Sequence, residues 1–291
     1  MGQFHDSTMG ERIEFDEESD NGLVLADKYL PGELLSYIFL YVDYKSLLNC
    51  QLVCKRWQIL IQSYVWRKRA AFSVGRSVLF TKNVPWHVYY LICKKKPFER
   101  NLIKNNSGEH GIKKHWKILE EGGDRWTVEN PPLGVPLLPS NEPVFEGKKF
   151  CFATSYRKCM KAQTIDLEEE GFTPYVLDEL QPPIVVSEWY SCRWDCPALY
   201  ECGATLLTRN YEPLDSFRFT DTIEGEKQNQ WHHVTHEFTN YGTGLRIICF
   251  YHEGVDRSFW AGHYGSKMAG ASIQVKIPVV LCSDDKESNI S

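Results

Sequence analysis

The residues in this sequence best able to do chemistry are ten cysteines and nine histidines. Cys192, Cys196 and Cys202, with His232, His233 and His236 downstream, offer the sulfur and nitrogen donors that a tetrahedral metal site takes. Their spacing argues against it. No CxxC pair occurs, and the histidines fall in an alternating run from Trp231 to Phe238 that, as a strand, sends neighbours to opposite faces. Cys151, Cys202 and Cys249 lie in apolar strand-like runs, where a free thiol packs as a small hydrophobe. The expectation is no metal and no disulfide framework. Covalent or acid–base catalysis has as little support: there is no phosphate-cradling glycine motif, no GxSxG elbow and no HExxH, and no carboxylate spacing forces a catalytic pair. The chain is expected to be no enzyme and to need no cofactor.

Three turn-like segments carry the remaining candidates. Phe259 and Trp260 are adjacent, so they cannot both point inward from a regular strand, and the flanking Asp256, Arg257 and Gly262 favour a loop. Tyr156 sits in a second segment, and a third, from Tyr190 to Cys196, contributes Arg193, Trp194 and Asp195. An Arg fork and a carboxylate can hold a polar ligand, or they can pair with each other and brace their own loop. Trp189, Trp231 and Tyr200 lie within strand patterns and are expected in the core.

Two kinds of element must position these loops. Residues Leu30 to Trp66 read as short helices: Pro31 suits a first helical position, and Leu34, Leu35, Ile38 and Phe39 recur at helical spacing. Asp43 is placed as an N-cap before Leu47 and Leu48, and Val53, Trp57, Leu60 and Ile61 form a third stripe. Such a short unit cannot hide so much apolar surface alone, so part of it must pack on something else. From Pro97 the pattern becomes all-β, with aromatic and β-branched runs separated by Gly, Asn and Pro. The candidate strands are Trp116–Leu119, Trp126–Glu129, Lys149–Ala153, Cys159–Asp166, Ile184–Tyr190, Ala198–Leu207, Ser216–Thr220, His232–Phe238, Leu245–His252 and Ala271–Ile277. About ten short strands fit a sandwich of two sheets.

Composition narrows the function classes. The net charge of −5 has no strongly basic face, and the one cluster, Lys94 to Lys96, is short, so nucleic-acid binding has little electrostatic support. No apolar run approaches the roughly 20 residues of a membrane span. The opening residues, MGQFHDST, lack the basic and apolar parts of a signal peptide, so the chain is expected to stay in the cytoplasm, including the cytosolic face of the endoplasmic reticulum.

The spelling of the two regions is more specific than their periodicity. Leu30-Pro31, Leu34-Leu35, Ile38-Phe39, Leu47-Leu48, Cys50, Val53-Cys54, Trp57, Leu60-Ile61 and Trp66 resemble the F-box, which docks on the Skp-family adaptor of cullin–RING ubiquitin ligases. The resemblance implies that these residues bind the adaptor and, through it, cullin and RING subunits. Pro97-Phe98, Arg100-Asn101-Leu102, Gly122-Gly123-Asp124, Trp126, Lys161-Ala162-Gln163, Glu170-Gly171-Phe172, Trp189-Tyr190, Tyr241-Gly242 and Trp260 resemble the F-box-associated domain of the sugar-recognising F-box-only proteins. It implies an α+β multidomain chain: an acidic tail over 1–22, an all-α F-box over 23–70, a helical linker over 71–96, an all-β sandwich over 97–278 and a tail over 279–291. It also implies a substrate receptor for N-linked high-mannose glycans on misfolded glycoproteins, with Tyr156, Arg193, Trp194, Asp195, Phe259 and Trp260 at the chitobiose core. A pyranose packs its C–H face on an aromatic ring while its hydroxyls need polar partners. Glycan-binding members carry Tyr-Trp-Lys in the last loop, where this chain has Phe259, Trp260 and Ala261. The missing hydroxyl and ammonium remove two hydrogen bonds, each worth on the order of 1 kcal/mol. The alternative is a receptor that binds an unmodified protein surface with the same sandwich.

Overall fold

The computed structural model describes residues 22–25, 27–74 and 84–277. The expected acidic tail (apart from residue 22), the tail over 279–291 and residues 75–83 of the linker lie outside the described residues. The chain divides into a helical unit ending at Lys96 and a second unit from Pro97 to Pro278.

In the helical unit a two-residue hairpin, β1 (Val24–Leu25) and β2 (Lys28–Tyr29), precedes α1 (Gly32–Tyr41), α2 (Tyr44–Cys50) and α3 (Lys55–Leu60). A π-helical turn, Ile61–Val65, leads into α4 (Trp66–Val74), and α5 (Trp86–Lys95) follows. Pro31 sits one position earlier than expected, as the N-cap, with φ −53° already set for entry into α1. Asp43 caps α2 as expected: its carboxylate accepts from the Lys45 and Ser46 backbone N–H groups at 3.1 and 3.0 Å, and the bonds from Ser46 hold its pKa below the usual range. Val53 lies in the turn before α3 rather than on the helix. Leu35, Phe39, Leu47, Trp57, Ile61, Val65 and Trp66 are buried. Phe39 meets Trp57 edge-on at 5.0 Å, and Trp66 lies between Tyr44 and Trp86, both at 6.4 Å.

The second unit is an antiparallel sandwich containing all ten expected strands. One sheet orders β3 (Lys117–Glu121), β6 (Cys159–Asp166), β11 (Leu245–Asp256), β8 (Ala198–Thr208) and β9 (Pro213–Ile223) in the sequence β3-β6-β11-β8-β9. The other runs β10 (His232–Phe238), β7 (Ile184–Ser191), β12 (Lys267–Val275), β5 (Cys151–Ala153), β4 (Thr127–Glu129). The strand expected to stop at His252 continues to Asp256, because Glu253 to Asp256 keep pairing with Ala198 to Glu201 of β8. Tyr200 is core, as expected. Trp189 points to the outer side of its sheet, where with Trp231 it packs on Leu138 and Phe145 of an irregular segment that covers that face. The Trp231 indole N–H donates to the Pro136 carbonyl at 2.8 Å.

Charged groups lie between the sheets. Glu188 accepts from the Tyr200 hydroxyl at 2.6 Å and contacts His252 Nδ1 at 2.6 Å. Beside His252 on the neighbouring strand, Lys161 is fully buried, and its Nζ has no hydrogen-bond partner among the described residues. It faces rings instead: the centroids of Phe152, Trp126 and Trp116 are 2.7, 4.3 and 4.9 Å away. Aromatic faces replace only part of an ammonium's hydration, so burial pushes this amine well below its ordinary pKa. Between the depressed folded value and the ordinary value the unfolded chain binds more protons, and stability rises with pH across that window. Lys161→Met, which keeps the volume and removes the polar head, should stabilise the sandwich by about 2 kcal/mol at neutral pH. Urea titrations at pH 7 and pH 9 check it: the gain should shrink at the higher pH, and a destabilised variant would mean that the ammonium–ring contacts outweigh its desolvation.

Candidate functional site

Several connections converge at one end of the sandwich. They are the links β3–β4, β5–β6, β7–β8 and β11–β12, which carry respectively Asp124, Tyr156, Arg193 to Asp195, and Phe259 to Tyr264. The last of these is held in shape from three sides. Asp256, at the end of β11, accepts from the Ser258 and Phe259 N–H groups at 3.0 and 2.5 Å. That supports a left-handed backbone at Phe259, φ +56°, which an aromatic residue adopts only at a cost of about 1 kcal/mol. Further along, the Gly262 N–H donates to Asp124 at 2.6 Å, and its carbonyl accepts from the Ser155 hydroxyl at 2.7 Å. His263 Nε2 contacts the Asp124 carbonyl at 3.0 Å.

This pinning leaves two aromatic side chains facing water. Phe259 and Trp260 are 64 % and 44 % exposed. Phe259 meets the half-buried Tyr156 edge-on at 5.1 Å, and Trp260 meets Tyr264 edge-on at 5.5 Å. Arg193 lies over the opposite partner of that second pair, 4.6 Å from the Tyr264 centroid. Of the two readings of Arg193 and Asp195, the geometry realises the brace. Both carboxylate oxygens accept from the guanidinium, at 2.8 Å each, which lowers the Asp195 pKa and raises that of Arg193. Gly134, at φ +68°, lets the backbone press on the same guanidinium, since a Cβ there would come within 2.8 Å of Arg193 Nη1. Trp194 is exposed and joins neither ring pair among the described residues; its backbone N–H donates to the Gly134 carbonyl at 3.2 Å.

Next to Trp260 opens a cavity of about 520 Å³, lined by Thr127 to Pro131, Leu133, Arg193 and Ala261 to Tyr264. Its one carboxylate, Glu129, is held at 2.6 Å through both oxygens by the buried Lys267 ammonium. Tyr264 and Ser155 were not singled out in the sequence; Asp124 carried signal only through the Gly122-Gly123-Asp124 motif, and Asp256 only as a residue that favours a loop. The partners of Asp124 and Ser155 in this loop are more than a hundred residues away.

No metal centre is assembled from the Cys and His residues considered above. Among the described residues no three His, Cys, Asp or Glu side chains cluster for a metal ion. The Cys192 and Cys196 thiols point to the Ile223 and Pro197 carbonyls at 3.5 and 3.6 Å, and burial pushes the Cys192 thiol up to about 12. His233 and His236 stack on Trp189 and Phe217 at 4.7 and 4.3 Å.

In the helical unit the sequence-predicted adaptor residues separate by burial. Pro31, Leu34, Ile38 and Val53 are exposed, whereas Leu30, Leu48, Cys50, Cys54 and Leu60 are half-buried. Leu35, Phe39, Leu47, Trp57, Ile61 and Trp66 are buried. Tyr37, Tyr41 and Leu52 are exposed large apolar side chains of the same unit. Helix α1 is apolar nearly all round, so its period could not separate its two faces.

A helical unit with exposed apolar side chains, joined to a sandwich that presents aromatic rings on a pinned loop, has the parts of a two-part binding protein. Comparison with known proteins gives that class its family: residues 28–70 match the F-box-like model and residues 93–275 match the F-box associated region, so the chain belongs to the F-box proteins with an F-box-associated domain. It is 36 % identical over 251 residues to F-box only protein 6 of Rattus norvegicus, covering 84 % of this chain and 85 % of that one. It is 34 % identical over 257 residues to human F-box only protein 44, covering 86 % and 96 %, and 34 % identical over 274 residues to F-box only protein 27 of Mus musculus, covering 89 % and 94 %. Among solved structures, a carbohydrate-binding module in complex with β-1,4-galactotriose overlaps 61 % of this chain and all of its own, at a TM-score of 0.36 and 10 % identity, too distant to bear on ligands. Membership implies a substrate receptor of a Skp–cullin–F-box ubiquitin ligase, in which the ubiquitin chemistry belongs to other subunits. No helix among the described residues is long and apolar enough to cross a membrane.

Proposed function

We propose that the sandwich recognises the chitobiose core of N-linked glycans on misfolded glycoproteins and so selects them for ubiquitination and degradation. The observation that carries this reading is Trp260: a large ring left half in water on a loop whose backbone is tied down at Asp256, Asp124 and Ser155. A pinned aromatic face costs little to order on binding and suits the C–H face of a pyranose. Tyr156 and Phe259 extend the apolar surface on one side, and Arg193, braced by Asp195, borders the polar cavity on the other. The substrate is brought near the transferred ubiquitin, so the chain acts through effective concentration. Capture from lysate tests the reading. Glycoproteins should be recovered with the wild-type chain and lost when N-glycans are enzymatically removed beforehand; recovery indifferent to deglycosylation would favour an unmodified protein surface as the ligand.

A further inference from the structure

The net charge of −5 hides an asymmetry inside the helical unit. We propose that the exposed basic stripe of α3 and α4 is the docking surface for this chain's own acidic segment, residues 11–20, which masks the stripe from other polyanions.

Three observations point there. The first is charge. From Lys55 to Val74, α3, the π-helical turn and α4 run on as one helical rod, which holds five Lys and Arg side chains and no carboxylate. Its exposed side chains are Lys55, Ser63, Arg67, Lys68 and Phe72. Residues 11–20 have the opposite composition: six carboxylates against one arginine, with Ile13 and Phe15 as their only large apolar side chains. The second is where that segment is rooted. The Gly22 carbonyl accepts from the Trp57 indole N–H at 2.5 Å, and at φ +74° Gly22 presses so closely on the start of α3 that a Cβ there would come within 2.5 Å of Cys54 Sγ. The acidic residues therefore leave from beside Lys55, and so short a tether holds them at the stripe at an effective concentration of about a millimolar. The third is order and reach. Asp16, Glu17, Glu18 and Asp20 come first on the way back from Gly22, and Phe15 and Ile13 come next, a reach of roughly 23 to 30 Å in extended chain. Along the rod, Arg67 and Lys68 lie about 20 Å beyond Lys55 and Phe72 about 26 Å beyond it. Phe72 is 70 % exposed. Carboxylates and apolar side chains thus fall in the order in which the stripe offers cations and then a ring. Single exposed ion pairs are weak, so it is the tether and the shared order that favour the chain's own segment over a free polyanion.

Zero-length carbodiimide coupling of the full chain, read by peptide mapping, tests this. Carboxylates of residues 11–20 should couple to Lys55 and Lys68 within one molecule, at a yield independent of protein concentration and several-fold lower at about 1 M salt than at about 0.01 M. Arg67→Glu with Phe72→Ser removes no amine, yet should lower the Lys55 yield several-fold as well. Binding of fluorescein-labelled poly-L-glutamate gives a second readout. Asp16→Asn, Glu17→Gln, Glu18→Gln and Asp20→Asn together should raise its affinity about tenfold by unmasking the stripe, and adding Arg67→Glu and Lys68→Glu should abolish that gain. Coupling spread evenly over the lysines of the chain overturns the proposal, and so does a yield unmoved by salt. Coupling between molecules overturns it in favour of a second copy as the occupant, and poly-L-glutamate affinity unchanged by the four amide substitutions shows that the segment masks nothing. The wild-type coupling pattern and its salt dependence decide without any variant, so a variant that fails to fold leaves the test intact.

Discussion

Leu34→Asp with Ile38→Asp should abolish capture of a Skp-family adaptor and its cullin while the chain remains folded. Both side chains lie on the water-facing side of α1, 50 % and 45 % exposed, beside the exposed Tyr37, Tyr41, Leu52 and Val53. A patch that apolar on so small a unit is an interface looking for its partner. Two carboxylates in its centre would each have to be desolvated without a counter-charge, which costs several kcal/mol and several decades of affinity. Leu35 is the control. It is only 1 % exposed, so Leu35→Asp buries a charge in the core and should unfold the helical unit rather than merely blunt its surface. Co-purification of adaptor and cullin, with circular dichroism and melting curves alongside, separates the two outcomes. Wild-type recovery of the adaptor by the Leu34/Ile38 double variant would show that the docking face lies elsewhere.

The contrast between Leu34 and Leu35 also shows what a sequence does and does not carry. Strand existence was legible throughout the sandwich because alternation and turn residues are local signals, and each of the ten runs is long enough to show them. Strand ends were not. Whether Glu253 to Asp256 continue β11 depends on Ala198 to Glu201 being alongside, a pairing about fifty residues away that no local pattern records. The same limit governs the ligand end. Adjacent aromatics at Phe259 and Trp260 announced a loop, but the groups that pin it, Asp124 and Ser155, act on Gly262 across more than a hundred residues. Arg193 and Asp195, two residues apart, could be read either way until their geometry was in hand. Face assignment failed for a different reason: in α1 both Leu34-Ile38 and Leu35-Phe39 obey the helical period, and only tertiary packing decides which pair is inside. Lys161 was quoted for its spelling alone. A lysine in an alternating strand is ordinarily on the wet face, and its burial among Phe152, Trp126 and Trp116 is where the local rule gives way.

Trp260→Ala should weaken chitobiose binding by one to two decades and leave the melting temperature nearly unchanged. The two halves of that expectation have separate causes. Binding falls because an aromatic face worth roughly 1–3 kcal/mol of burial against a sugar is removed. Stability holds because the loop's shape depends on backbone bonds to Asp256, Asp124 and Ser155, none of which involves the indole, and because the half-exposed ring meets Tyr264 only edge-on. Asp124→Ala should behave differently. It frees the Gly262 N–H, lets the loop move and weakens binding without touching the ring itself, and Asp124→Asn, which keeps an acceptor, should restore most of the affinity. Ala261→Lys should move plain chitobiose affinity upward, since an ammonium there adds a donor for sugar oxygens. Calorimetry on these four variants, with melting curves in parallel, decides the matter: a large drop in melting temperature for Trp260→Ala would make the indole a structural residue, and chitobiose binding unaffected by its loss would place the glycan somewhere other than this loop.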